Sequence, residues 1–262
     1  MKNKLYGSLL LSTLLSSGAC AAPYALAISV DTTRFDYAET GDNGELLDTE
    51  RSEFGDIAGF TFAFEPDYQG FYITTSYSSG TTDYIGGTDV NPTYGSYLTT
   101  TNNTILDYSA GFKTTFLLDP YGELQMPLQV GLGYREWQRD ILGTYDVYGI
   151  TETYEWGYFD VGIGLHLALS PDATIGVDAN YRKAFNAQMY EDLYGHTFTL
   201  NNVYGYTIAV PLEFALNRSV SAFFQYNYEY WNIDASNVVD GWYEPDSETK
   251  NQTLSAGLKI WF

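Results

Sequence analysis

The sequence predicts an all-β chain closed into an antiparallel transmembrane barrel of about ten strands, with short turns at one end and long loops at the other. Three observations carry that prediction. Segments along the chain alternate apolar and polar residues with a period of two, the pattern of a wall with lipid on one side and a lumen on the other. Beyond the N-terminal leader no stretch supplies the roughly 20 consecutive apolar residues of a membrane helix. Connections between the alternating segments are short and long by turns.

The N-terminus reads as a secretory leader. Lys2 and Lys4 precede a short apolar run from Leu5 to Leu15, and Ala19-Cys20-Ala21 has the small residues of a cleavage site. The expected division is a signal peptide over 1–21 and one barrel domain over 22–262. A rival reading makes Cys20 the lipidated first residue of a lipoprotein, although Ser17 stands where such signals normally carry leucine. Cys20 is the only cysteine, so cleavage after Ala21 leaves a chain without thiol or disulfide.

Composition narrows the function classes. Removing the leader takes two lysines from 12 basic residues, leaving 10 against 33 acids and a net charge of −23. Phosphate binding needs Lys and Arg, so nucleic acid is excluded as a partner. An aromatic content of 17%, with 25 Tyr and 15 Phe, argues equally against disorder.

Ten segments keep the two-residue period: about 24–37, 55–65, 70–79, 104–118, 124–137, 155–169, 173–183, 203–217, 220–232 and 252–262. The clearest is 159–169, where Phe159, Val161, Ile163, Leu165, Leu167 and Leu169 share one face and Asp160, Gly162, Gly164 and His166 the other. Further lipid faces are Phe60, Phe62 and Phe64; Leu106, Tyr108, Ala110, Phe112 and Phe116; Leu128, Val130, Leu132 and Tyr134; and Tyr204, Tyr206, Ile208, Val210, Leu212 and Phe214. Unpaired backbone in lipid costs several kcal/mol per group, so such segments must close on themselves.

Short turns at 65–69, 119–123, 170–172 and 217–219 carry Pro, Asp, Asn and Gly. Long loops fall near 38–54, 80–103, 138–154, 184–202 and 233–251. Bacterial barrels place short turns in the periplasm and long loops outside, which orients the chain. Two aromatic girdles are expected, one with Tyr226, Tyr228, Tyr230 and Trp231, the other with Phe64, Tyr68, Phe71, Phe116, Phe214 and Phe262. Pro127 and Pro211 fall on the lumen face, where each predicts a bulge.

The chain ends Ser255-Ala256-Gly257-Leu258-Lys259-Ile260-Trp261-Phe262, which resembles the C-terminal assembly signal of bacterial outer-membrane barrels, carried here by Ser255, Gly257, Ile260 and Phe262. The resemblance implies an outer-membrane location, insertion by the barrel-assembly machinery, and outer-membrane lipid and lipopolysaccharide as neighbours. In strand count the chain is similar to the omptin surface proteases, and in its charged lumen to small OmpA- or OmpX-like barrels. That class hosts pores, adhesins and enzymes, so fold alone decides no function.

Phase places Lys113, Arg135, Arg182 and Lys259 inside, with Asp107, Asp160, Asp178, Glu213 and Glu229. Four cations facing five anions predict an internal salt-bridge network that fills a narrow barrel; the alternative is a small charged pore. The loops and their strand ends sum to −17, which reads as solvated loops, or as a surface for divalent cations or a basic partner. Asp42-Asn43-Gly44-Glu45 is the best cation candidate, without full EF-hand spacing. His166 is expected in the lumen near Asp178 and Glu213, as part of the charge network. His196, beside Thr197 in the fourth loop after Glu191 and Asp192, is where a resemblance to lipid A deacylases or omptins would put a base, yet Thr replaces Ser and no facing Asp pair is evident. No catalytic or metal centre is predicted, and no cofactor is implied. The function expected is therefore surface interaction or envelope integrity, with a porin-like channel as the alternative.

Overall fold

A computed structural model of the chain describes residues 24–88 and 90–262; the predicted leader and Cys20 lie outside the described residues. Among the described residues there is no helix. Twelve strands form one sheet: β1 (Tyr24–Thr40), β2 (Leu46–Arg51), β3 (Ile57–Pro66), β4 (Gln69–Gly86), β5 (Tyr97–Leu117), β6 (Leu124–Ile141), β7 (Ile150–Ser170), β8 (Ala173–Glu191), β9 (Thr197–Thr199), β10 (Val203–Asn217), β11 (Val220–Ile233) and β12 (Asp246–Trp261). Ten of them make a closed antiparallel ring. β2 pairs with the outer parts of β1 and β4, in line with β3, and β9 pairs with the outer end of β8.

Closure comes from the last strand on the first. Their register runs without a break from Ala25 opposite Trp261 to Thr40 opposite Asp246, so no edge is left to template pairing with another chain. Lipid-facing side chains lie on the predicted phase at Phe60, Phe62 and alternate residues from Phe159 to Leu169, and Leu26, Ile28, Val30, Leu254, Leu258 and Ile260 are exposed as well. Phe71, Phe116, Phe214 and Phe262 ring the end with short turns.

The strands are longer at the loop end than the sequence pattern suggests, because there the pattern inverts. In β1, Leu26, Ile28 and Val30 point out and Ser29 and Asp31 in; a few residues on, Phe35 and Tyr37 are buried inside while Arg34 and Asp36 face out. The same exchange occurs in β6, where buried Trp137 and Ile141 alternate with Glu136, Gln138 and Asp140. Below the exchange the outside is lipid, and above it the outside is water and the inside dry. The apolar core accordingly sits inside the outer half of the barrel, around Phe35, Tyr37, Trp137, Tyr154, Trp156 and Trp231.

Two expectations are corrected. Trp231 is not part of an outer girdle: it follows Tyr230 along a strand, so it faces the opposite way and is 1% exposed in the core. Pro127 and Pro211 produce no bulge. The β6–β7 ladder lapses between Gln125–His166 and Leu128–Ile163, and the β8–β10 ladder between Asp178–Ala209 and Ile175–Leu212, each resuming in the same register. Proline removes a donor without adding a residue. The bulge that changes phase lies elsewhere, at Asn186 (φ 51°), where one residue of β7 faces two of β8. Beyond it Ala187, Met189 and Glu191 become the inward residues of β8.

Candidate functional site

Three layers of side chains fill the ring. Nearest the short turns, Lys259 Nζ bonds Glu213 Oε2 and Glu65 Oε1, both at 2.8 Å, and Lys113 Nζ bonds Glu65 Oε2 at 2.9 Å. Glu65 thus joins β3 to β5 and β12. His166 Nε2 lies 2.9 Å from Asp178 Oδ1 on the adjacent strand, and its ring rests over Gly176. Glu213, expected near His166, is engaged by Lys259 instead.

The middle layer crosses the lumen. Arg135 on β6 contacts Asp107 on β5 (3.3 Å) and Glu229 on β11 (3.0 Å). Arg182 on β8 contacts Asp160 on β7 (3.2 Å) and Glu229 (2.9 Å). Tyr158 Oη donates to Asp107 at 2.6 Å, Gln129 Nε2 to Asp160 at 3.0 Å, and Asn251 Nδ2 to Glu229 at 3.1 Å. Each of these buried charges therefore has several partners, the condition under which buried ions are tolerated. A polar cavity of about 400 Å³ lies within these two layers, lined by residues that include Asp31, Lys113, Arg182 and Glu229.

Asp31 and Glu65 were missed in the sequence although phase could have found them: Val30 and Phe64 face lipid, so their neighbours face in. Asp31 accepts from Ser29 Oγ (2.8 Å) and Thr61 Oγ1 (2.7 Å). With these two acids added, the near balance of charge expected in the lumen tips toward acid.

The outermost layer is aromatic around one guanidinium. Trp137 stacks on Tyr154 (4.8 Å) and meets Phe35 and Tyr37 edge-on or tilted (5.5 Å each), and Trp156 meets Trp231 at 5.1 Å. Arg182 sits 5.0 Å over Tyr158 and Arg135 5.6 Å over Trp231, so the middle layer carries the aromatic one by cation–π contact. Arg139 is wholly buried, 4.1 Å above the Tyr37 ring, and binds Glu50 (2.9 Å), Glu152 (2.6 Å) and Asp48 (3.5 Å). Tyr154 also donates to Glu244, from the loop between β11 and β12. One cation is too few to neutralise five carboxylates, Glu39 accepting from Tyr37 beside the other four, in a dry place that stands above the lipid belt. Burial pushes the Glu244 carboxyl up to about 8, with Glu152 raising it further and Tyr154 and Arg139 opposing. Burial likewise raises Asp48 to about 7 against the pull of Arg139.

On the outer loops, His196 Nδ1 lies 2.9 Å from Glu191 Oε1, and His196 Nε2 lies 3.7 Å from Asp240 Oδ2. In the turn at 41–45 the Glu45 side chain accepts from the Asn43 N–H at 3.1 Å, so one of its oxygens serves the turn. Among the described residues, no group of three or more acids, histidines or cysteines is placed to hold a metal. Ser255, Gly257, Ile260 and Phe262 lie on or just past the closing strand, Ser255 and Gly257 facing in and Ile260 and Phe262 exposed to lipid.

No family model matches the chain, and no curated protein does. Solved structures do. The outer-membrane protease OmpT of Escherichia coli superposes with a TM-score of 0.61 at 10% identity, covering 92% of this chain and 97% of that one. The transport unit of the autotransporter AIDA-I of Escherichia coli follows at 0.44 (10% identity, 95% and 92% covered), and OprG of Pseudomonas aeruginosa at 0.39 (10%, 94% and 98%). At such identities only the fold is shared. That fold is the closed barrel of integral outer-membrane proteins, and the belt of lipid-facing side chains is the surface that location requires.

Proposed function

We propose that this chain is a closed, non-conducting barrel that presents an acidic, aromatic-rich outer face for contact with partners at the cell surface. The observation that carries this reading is the outermost layer, in which Trp137, Trp156, Trp231, Tyr154 and Arg139, each no more than 1% exposed, meet across the ring. Side chains packed this tightly across the ring support a closed lumen, since each ion would have to displace them. Insertion by the assembly machinery through Ser255, Gly257, Ile260 and Phe262, with lipopolysaccharide around the belt, belongs to the same reading.

Purified protein in a planar bilayer tests it. Silent membranes are expected, and steady ion-selective steps would overturn it. A small pore is the second reading, supported by the 400 Å³ polar cavity, and the same recording decides between them. The protease named among the structural neighbours has one feature to draw on here, the His196–Glu191 pair. Peptide cleavage or lipid A change abolished by His196→Ala would replace the present reading with an enzymatic one.

A further inference from the structure

Tyr194 and Trp242 come from different outer loops and stack at 5.6 Å with 19° between their rings, yet remain 55% and 47% exposed. Trp and Tyr, paired here, are among the residue types most enriched at binding hot spots. Both are held on rigid mounts. Val239 and Trp242 exchange backbone hydrogen bonds (2.8 and 2.9 Å) around Asp240 and Gly241, whose φ values of 51° and 91° make the tight hairpin turn favoured by an Asp-Gly pair. In the other loop the buried Glu191 carboxylate accepts from the backbone N–H of Tyr194 (2.9 Å) and of His196 (3.0 Å). Two ordered turns thus hold the ring pair, with the His196 ring 5.9 Å from that of Tyr194, so that its ordering cost is met before any ligand arrives.

The edge of the platform is acidic. Asp240 is almost fully exposed, with its carboxylate 3.7 Å from His196 Nε2, and Asp192 lies exposed in the Tyr194 loop. Neither the 192–196 segment nor the 234–245 segment contains Lys or Arg. Ring faces carry the negative end of a quadrupole, so faces and edge favour the same sign of charge. A planar cation satisfies both, stacking on the rings while its N–H fork meets a carboxylate. We propose that the Tyr194–Trp242 platform with Asp240 docks an arginine-bearing basic peptide segment of a partner. The assignment rests on the surface-contact reading but is independent of whether the lumen conducts.

The test uses the whole chain in detergent micelles and a fluorescent peptide of alternating arginine and glycine, followed by anisotropy at about 150 mM salt, where long-range attraction is screened. Trp242→Ala and Asp240→Asn are each expected to weaken binding about five- to tenfold, the scale of one cation–π or charge-assisted contact. Asp83→Asn, an exposed acid on the outward face of β4, is expected to change nothing. Equal weakening by all three variants would reduce the effect to bulk acidity and overturn the proposal, as would no binding at all or equal, Trp242-independent binding of a lysine-glycine peptide. Retained resistance of each folded variant to unfolding in unheated gels keeps misfolding from counting as either result. A conducting wild type with an intact platform would overturn the closed-barrel reading alone.

Discussion

Arg135 on one wall of the barrel holds Glu229 on the far wall at 3.0 Å, with the side chains of both almost wholly out of water. Three staves separate their strands by one route round the ring and five by the other. The pair is a strut. Arg135→Leu strands Glu229 and Asp107 with fewer cations, and breaking a buried pair from one side costs on the order of 3 kcal/mol. The expected outcome is a lower urea midpoint and a lower temperature for the shift from compact to unfolded band in gels. An unchanged midpoint would show that Arg182 and Asn251 suffice for Glu229.

The outer layer should respond to pH. Folded Glu244 and Asp48 hold protons to about 8 and 7, well above ordinary carboxyl values near 4. Because folding raises these values, their contribution is fully present below pH 4 and is lost as pH rises toward 7 to 8. The 234–245 loop, anchored through Glu244 to Tyr154, is therefore expected to show lower amide protection, measured relative to the intrinsic exchange rate at each pH, at pH 9 than at pH 6. Glu244→Gln keeps a neutral partner for Tyr154 and should remove most of that difference. Protection in the loop that is flat with pH in the unaltered protein would refute the account.

Gly133 is required for Tyr158 to lie where it does. A Cβ at Gly133 would meet the Tyr158 ring at 2.1 Å, too close for either to remain. Gly133→Ala should push the ring away, break its 2.6 Å bond to Asp107 and cost about 1–3 kcal/mol by overpacking. Tyr158→Phe measures the hydrogen bond alone, and a loss no larger in the alanine variant than in the phenylalanine variant would rule out the steric account.

Trp137 combines ring stacking with an indole N–H donated to Asn103 at 2.8 Å. Trp137→Ala is expected to cost about 3–5 kcal/mol, the range for emptying a packed aromatic site. Its conductance tests the proposed closure separately: brief openings are expected in the variant and none in the parent.

What the sequence made legible follows the solvent. Along 159–169 each outward residue is apolar, because lipid demands it, so strand, phase and orientation could be read directly. The same phase puts Asp160 and Arg182 in the lumen, where the structure has them. The outer strand ends at 138–141 and 150–154 read as loop because their outward residues are Gln138, Asp140, Thr151 and Thr153, which a lipid-facing template rejects. Trp231 was misplaced by the same template, an aromatic at rim height being assumed to face out. The pairing of Arg135 with Glu229 and of Tyr194 with Trp242 depends on closure and loop conformation, which no local pattern encodes.

The inversion at Phe35 and Tyr37 means that one sheet lives in two solvents. Its lower half gains its stability from a bilayer that is apolar outside, and a detergent can stand in for that. The upper half is held as a water-soluble domain is held, by aromatic side chains withdrawn from water, and carries the positive heat capacity of unfolding that goes with it. Heating or urea acts on that turret directly, whereas exchanging the lipid acts on the foundation. The two halves are joined by continuous strands, so each stays folded only while the other does.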